Sequence, residues 1–118
     1  MRLFLVRHGE TDWNLAQRFQ GHSDVPLNQV GLQQAQALKV RLSDEIVTSF
    51  YSSDLERAHE TAKIIANGKI DLQSDARLRE VHFGDWEGLG GLALPEIFPF
   101  QLSCKGTTIA GRAVAVLY

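Results

Sequence analysis

The apolar run Leu3-Phe4-Leu5-Val6 stops at Arg7-His8-Gly9, and this boundary limits the chain more than any other feature. The run is too short for the core of a signal peptide, which takes roughly 7 to 15 residues, or for a membrane helix, which takes about 20. It has the length of a strand buried on both faces, as in a parallel sheet. Two later stretches keep helical period. Leu32, Ala35, Leu38 and Leu42 recur at three- and four-residue spacing behind Asn28, a good N-cap residue. Leu55, Ala58, Ala62, Ile65 and Ala66 do the same ahead of the stop Asn67-Gly68. Between them, residues 46–51 are β-branched and aromatic and read as a second strand. That strand runs into Ser52-Ser53-Asp54, residue types that cap a following helix. Residues 13–19 fit one or two helical turns, residues 20–26 a loop, and residues 70–73 a third short strand. Strands alternating with helices predict an α/β layer fold with a mostly parallel sheet.

A length of 118 residues allows one domain and one core. Lys plus Arg number 12 and Asp plus Glu 14, so the formal charge is 12 − 14 = −2, and the pI is near 6.0. That balance offers no basic field for nucleic-acid phosphates. The single cysteine, Cys104, cannot form an internal disulfide, so a cytoplasmic setting is expected. The charge pattern changes near residue 90. Residues 1–90 carry 10 basic and 13 acidic side chains, whereas residues 91–118 carry two and one. Within the second part, residues 90–100 show no helical or strand period, and Pro95 and Pro99 interrupt them. The sequence predicts one domain with an atypical tail.

In open parallel sheets ligands bind at the carboxyl ends of the strands, which puts the loop after the first strand forward as a site. Arg7 offers a planar, permanently charged fork for phosphoryl oxygens, and Gly9 lets the backbone approach closely. His8 carries a ring nitrogen that is nucleophilic at neutral pH, and Asn14 adds an amide donor. Taken alone, Arg7-His8-Gly9 fits equally well a surface turn with Arg7 in an ion pair.

The longer string Leu5-Val6-Arg7-His8-Gly9-Glu10-Thr11-Asp12-Trp13-Asn14 resembles the signature of the histidine phosphatase superfamily, the phosphoglycerate mutase-like proteins. Three further blocks follow in order. They are Gln20-Gly21 with Asp24-Val25-Pro26-Leu27 and Gly31 to Ala35, then Ser52 to Ala58 with Thr61-Ala62, then Leu78-Arg79-Glu80 through Gly88. The resemblance covers residues 1–90 and implies a three-layer α/β/α fold. It implies His8 as the nucleophile that becomes phosphohistidine, and Glu80 as the proton donor. Arg7, Asn14 and Arg57, with Gln20 and Gly21, would hold the phosphoryl group. The alternative for Arg57 is an ion pair with Asp54 or Glu60 on its own helix, and for Glu80 a solvated surface carboxylate. Two arginines stabilise a phosphoryl-transfer transition state without a metal. His22, His59, His82 and Cys104 show no metal-ligand spacing, so neither metal nor cofactor is expected.

The fourth block resembles bacterial small-molecule phosphatases, including α-ribazole phosphatases. Acidic Asp85 and Glu87 beside the site disfavour a second phosphate, which ranks phosphatase above mutase. The expected partner is a small phosphorylated metabolite, with no nucleic acid and no membrane; oligomeric state is left open. The family also uses a second histidine from a later strand, and residues 89–118 contain none. The expectation is therefore a truncated or frame-shifted tail over 91–118, a sheet left with an unpaired edge and exposed apolar faces, and a reaction impaired or reduced to phosphate binding.

Overall fold

The computed structural model describes residues 2–90 in full and the backbone of residues 113–117. Strand β1 (Leu3–Arg7) leads through a short helix α1 (Asp12–Leu15) and a loop to helix α2 (Gln29–Arg41). Strand β2 (Ser49–Ser52), helix α3 (Glu56–Ala66) and strand β3 (Leu72–Ser74) follow. Two single 3-10 turns, Ala76–Leu78 and Gly84–Trp86, carry the chain back across the strand ends. The remaining strand, β4 (Ala113–Leu117), comes from the tail.

The sheet order is β1-β4-β2-β3, with every pairing parallel. Arg7 pairs with Leu117, and Ser52 with both Val116 and Ser74, so all four strands end at one edge. β1 and β2 leave a gap that β4 fills. The loops that follow β1 and β2 therefore leave the sheet at the same end, one strand apart. A strand thus comes from the tail, beyond residues 90–100, which show no helical or strand period. The atypical reading of residues 91–112 lies outside the described residues.

One apolar cluster holds this together. Val6 and Phe50 from the sheet meet Ala58, Ala62, Ile65 and Ala66 from α3, with Phe4, Leu38, Leu42, Val47, Ile70 and Leu72 packed around them. Ala58, Ala62 and Ala66 fall four apart on one face, so the α3 backbone lies close against the sheet. Asn67, left-handed at φ 50°, and Gly68, at φ 70°, end the helix as the sequence predicts. Asn28 caps α2 by accepting from Gly31 N–H at 2.9 Å, also as expected.

Three local expectations are corrected. β1 is not buried on both faces: Val6 is in the core, but Leu5 on the opposite face is 63% exposed. α3 is not capped from within the Ser52-Ser53-Asp54 run. Ser53 Oγ accepts only from Leu55 N–H, while the first helical N–H, that of Glu56, is taken by Asp24 from the distant 20–26 loop at 2.7 Å. Asp54 instead forms a two-pronged pair with Arg79. Finally, the second and third strands each begin later than the apolar runs suggest, at Ser49 and Leu72.

Candidate active site

β1 delivers His8 to the strand edge, where its side chain is buried. The ring Nδ1 lies 2.6 Å from the Gly9 carbonyl oxygen. A carbonyl only accepts, so Nδ1 carries the proton and the neutral ring keeps its lone pair on Nε2. Burial pushes the His8 pKa down to about 4. The Gly9 hydrogen bond opposes this shift, and the neighbouring charges of Arg57 and Arg7 add to it. The ring is therefore uncharged at neutral pH.

The loop after His8 is fastened by buried partners. Gly9 N–H donates to Thr61 Oγ1 at 3.0 Å, and the same hydroxyl donates to the Arg57 carbonyl at 2.7 Å. Thr61 lies four residues after Arg57, one turn along α3, so a single hydroxyl links the loop to the helix that carries the arginine. Gly9 and Gly31 allow the loop to sit on the first turn of α2. A Cβ at Gly9 would meet the Gly31 backbone, and one at Gly31 would lie 2.7 Å from Glu10 N and closer still to Glu10 O. Asn28 N–H and Nδ2 both donate to Glu10, its carbonyl and its carboxylate, at 2.9 Å. Thr11 caps α1 reciprocally with Asn14: Asn14 N–H donates to Thr11 Oγ1, and Thr11 N–H donates to Asn14 Oδ1. Since Oδ1 is held by the cap, the Asn14 amide NH₂ is turned away from it. Thr11 Oγ1 also lies 2.7 Å from Gln20 Oε1, which buries Gln20 behind the loop.

Arg57 is fully buried. Its Nη1 donates to Ser23 O at 2.9 Å, and its Nη2 to Gly21 O at 2.8 Å and to Glu80 Oε2 at 3.3 Å. Nε–H has no partner among the described residues. The arginine is thus not in an ion pair with Asp54 or Glu60, the alternative its helix position allows. Glu80 is not a solvated surface carboxylate either; its side chain is 26% exposed. Burial pushes its pKa up, against the attraction of Arg57 and Arg7 and the hydrogen bonds from Arg57 and Gly21 N–H. Arg7 and Arg57 each act electrostatically on both His8 and Glu80. Gly21 holds its place by backbone: its φ is +52°, and a Cβ there would run into the Glu87 carboxylate.

Glu87 is anchored beside the site: its oxygens accept from His22 N–H, Phe83 N–H and the Ser23 hydroxyl. These hydrogen bonds outweigh its burial and bring its pKa down to about 2. Asp85 is exposed. Phe83 and Trp86 stack edge-on with Phe19, with ring centres 5.0 and 6.5 Å away, and Trp13 lies over Gly88. Sequence reasoning missed Thr61, Thr11 and Asp24 as fastening residues. All three lie within the quoted motif blocks, but no local pattern marks them as fastening residues. Among the described residues no group of three or more His, Cys, Asp or Glu is placed to hold a metal, and no helix is long and apolar enough to cross a membrane.

Comparison with known proteins bears on the family and the fold. Phosphoglycerate mutase-like protein 4 of Arabidopsis thaliana is 53% identical over 90 residues, which are 74% of this chain and 39% of that protein. A solved alpha-ribazole phosphatase from Shigella flexneri superposes with a TM-score of 0.76 at 37% identity, over 82% of this chain and 48% of that one. A phosphoserine phosphatase from Entamoeba histolytica, solved with 3-phosphoglyceric acid, superposes with a TM-score of 0.74 at 39% identity, over 79% and 46%. The chain thus spans about two fifths of the Arabidopsis protein and just under half of the two solved structures. The family model of the histidine phosphatase superfamily (branch 1) matches residues 3–103, and the chain belongs to that superfamily.

Proposed function

We propose that this site hydrolyses a small phosphomonoester without a metal, through a phosphohistidine on His8. The observation that carries the reading is the His8 tautomer. A buried ring whose Nδ1–H is held by Gly9 O presents an unprotonated Nε2 at neutral pH, the form a nucleophile needs. Nε2 attacks phosphorus, the bond to the ester oxygen breaks, and the leaving oxygen takes the proton of the Glu80 carboxylic acid. Water then attacks phosphorus, the P–N bond breaks, and Glu80 takes the proton of that water. Phosphate leaves and His8 is restored neutral.

Arg7, Arg57 and the Asn14 amide NH₂ bind the phosphoryl oxygens, with Gln20 and Gly21 shaping the loop beneath. The unpartnered Nε–H of Arg57 supports this role, because a buried donor without an acceptor costs about 1–3 kcal/mol until something supplies one. Phosphate also competes with Glu80 for Arg57. As that pair loosens, Glu80 loses the cation that favours its anion, so substrate binding itself favours the protonated acid. On this reading residues 1–90 are the N-terminal part of the catalytic domain, and the setting is cytoplasmic.

The name of the Arabidopsis relative favours a second reading, phosphoryl transfer between positions of phosphoglycerate. The test is turnover of an aryl phosphate and of 3-phosphoglycerate by the purified chain without added metal, beside His8→Ala and Glu80→Gln. Phosphate release that His8→Ala abolishes supports the phosphatase, and isomerisation without release supports the mutase. A folded chain that binds phosphate and releases none is a catalytic remnant, and the hydrolytic reading fails.

A further inference from the structure

Glu87 lies in the turn after Gly84–Trp86, seven residues beyond the proposed acid Glu80, with its side chain 12% exposed. Its Oε1 accepts from His22 N–H at 2.9 Å and Phe83 N–H at 3.2 Å, and its Oε2 from the Ser23 hydroxyl at 2.5 Å. His82 Nε2 stands 3.8 Å from Oε1, and an ion pair forms there only when that ring is protonated. The carboxylate is thus occupied by donors from two segments at once, the 21–23 loop and the chain after Glu80.

The same loop holds both groups of the proposed chemistry. Gly21 O and Ser23 O fix the two Nη atoms of Arg57. Gly21 N–H donates to the Glu80 carboxylate, and His22 Nε2–H donates to the Glu80 carbonyl at 2.9 Å. Every donor and acceptor that the loop turns toward Arg57 and Glu80 is backbone, apart from the His22 ring. Backbone groups hold a geometry only as well as their segment is held, and the Glu87 carboxylate is the charged anchor of that segment. Gly21 completes the seat, since a Cβ at this residue would occupy the position of Glu87 Oε1.

We propose that Glu87 is a positioning residue, which ties the 21–23 loop to residues 80–83 and so fixes Arg57 and the Glu80 carboxyl against each other. The proposal rests on Glu80 as the acid, and it predicts an effect that needs no substrate. Burial is the main cause of the raised Glu80 pKa, and Arg57, Arg7 and Gly21 N–H oppose it. If the loop is released, water reaches the carboxyl and its midpoint falls toward the ordinary glutamate value of about 4.3.

The experiment is a carboxyl ¹³C titration of the full chain labelled at glutamate, with Glu80→Gln assigning the resonance. In the parent chain Glu80 is expected to titrate above the ordinary value. Glu87→Ala is expected to lower the midpoint toward the ordinary glutamate range. Glu87→Gln keeps an Oε1 acceptor, and the Ser23 hydroxyl can turn to accept from its amide, so the midpoint returns toward that of the parent. That rescue separates anchoring from a requirement for charge at residue 87. A folded Glu87→Ala chain in which Glu80 titrates as in the parent overturns the proposal. Should Glu87→Ala not hold its fold, Ser23→Ala decides: a lowered midpoint supports the anchor and an unchanged one overturns it. A chain that never turns over a phosphomonoester yet shows the Glu87-dependent midpoint sinks the hydrolytic reading and leaves the positioning role in place.

Discussion

Replacing Thr61 by valine removes one oxygen and keeps the shape of the side chain. The hydroxyl it removes is fully buried, accepts from Gly9 N–H at 3.0 Å and donates to Arg57 O at 2.7 Å. The Arg57 carbonyl faces a helical N–H further along α3 as well, so it is not left bare. Gly9 is buried, and its N–H depends on this hydroxyl for an acceptor. A buried donor left unsatisfied costs about 1–3 kcal/mol. Taking about 2 kcal/mol, the thermal midpoint of a domain of this size falls by roughly 8 °C. Thr61→Ser keeps the hydroxyl and loses one methyl, at about 1 kcal/mol or less. Thermal and urea unfolding of the three chains check the ordering parent, serine, valine. A valine variant as stable as the parent, or a serine variant as unstable as valine, refutes the view that this hydroxyl fastens the His8 loop.

Three other outcomes follow from the same contacts. Gly31→Ala gains helix propensity of about 1 kcal/mol, yet its Cβ would lie 2.7 Å from Glu10 N; we expect a net loss of about 1–3 kcal/mol by urea unfolding and weaker phosphate binding as the loop lifts. Asp24→Ala uncaps α3 from a distance and should cost about 1 kcal/mol, with no change if Leu55 were a sufficient cap. His8 is held neutral in the fold, with a pKa of about 4 against 6.5 when unfolded, so the unfolded chain binds the extra proton between those values. Stability therefore rises with pH across that window and falls by up to about 3 kcal/mol as the pH drops toward 4. Glu80, with its raised pKa, contributes the opposite slope, and Glu87 adds a loss only as the pH falls below the ordinary glutamate range. Denaturation of His8→Asn across pH 4–7 should show the His8 slope removed, and an unchanged slope contradicts the buried neutral ring.

What could be read from the sequence was whatever a local pattern encodes. The four-residue spacing of Ala58, Ala62 and Ala66 specified the buried face of α3, and Asn28 and Asn67-Gly68 marked helix ends through side-chain and left-handed caps that act within a turn. The ordered motifs pointed to His8, Arg7, Arg57 and Glu80, and in the fold the two arginines act electrostatically on both the histidine and the glutamate. Hidden from the sequence were the links between segments far apart along the chain. Asp24 reads as a loop acid, yet it caps a helix 32 residues on. Glu87 reads as a charge beside the site, yet it is anchored to His22 and Ser23. The exposure of Leu5 was equally hidden, because an apolar run does not say which of its faces another layer will cover.

The most direct test of the central claim is to quench the chain during turnover of an aryl phosphate, digest it, and map any acid-labile phosphate by mass spectrometry. Nδ1 of His8 is committed to Gly9 O, so the account predicts phosphate on His8 and on Nε2 alone. Phosphate on another residue, on Nδ1, or release without any labelled histidine would contradict it.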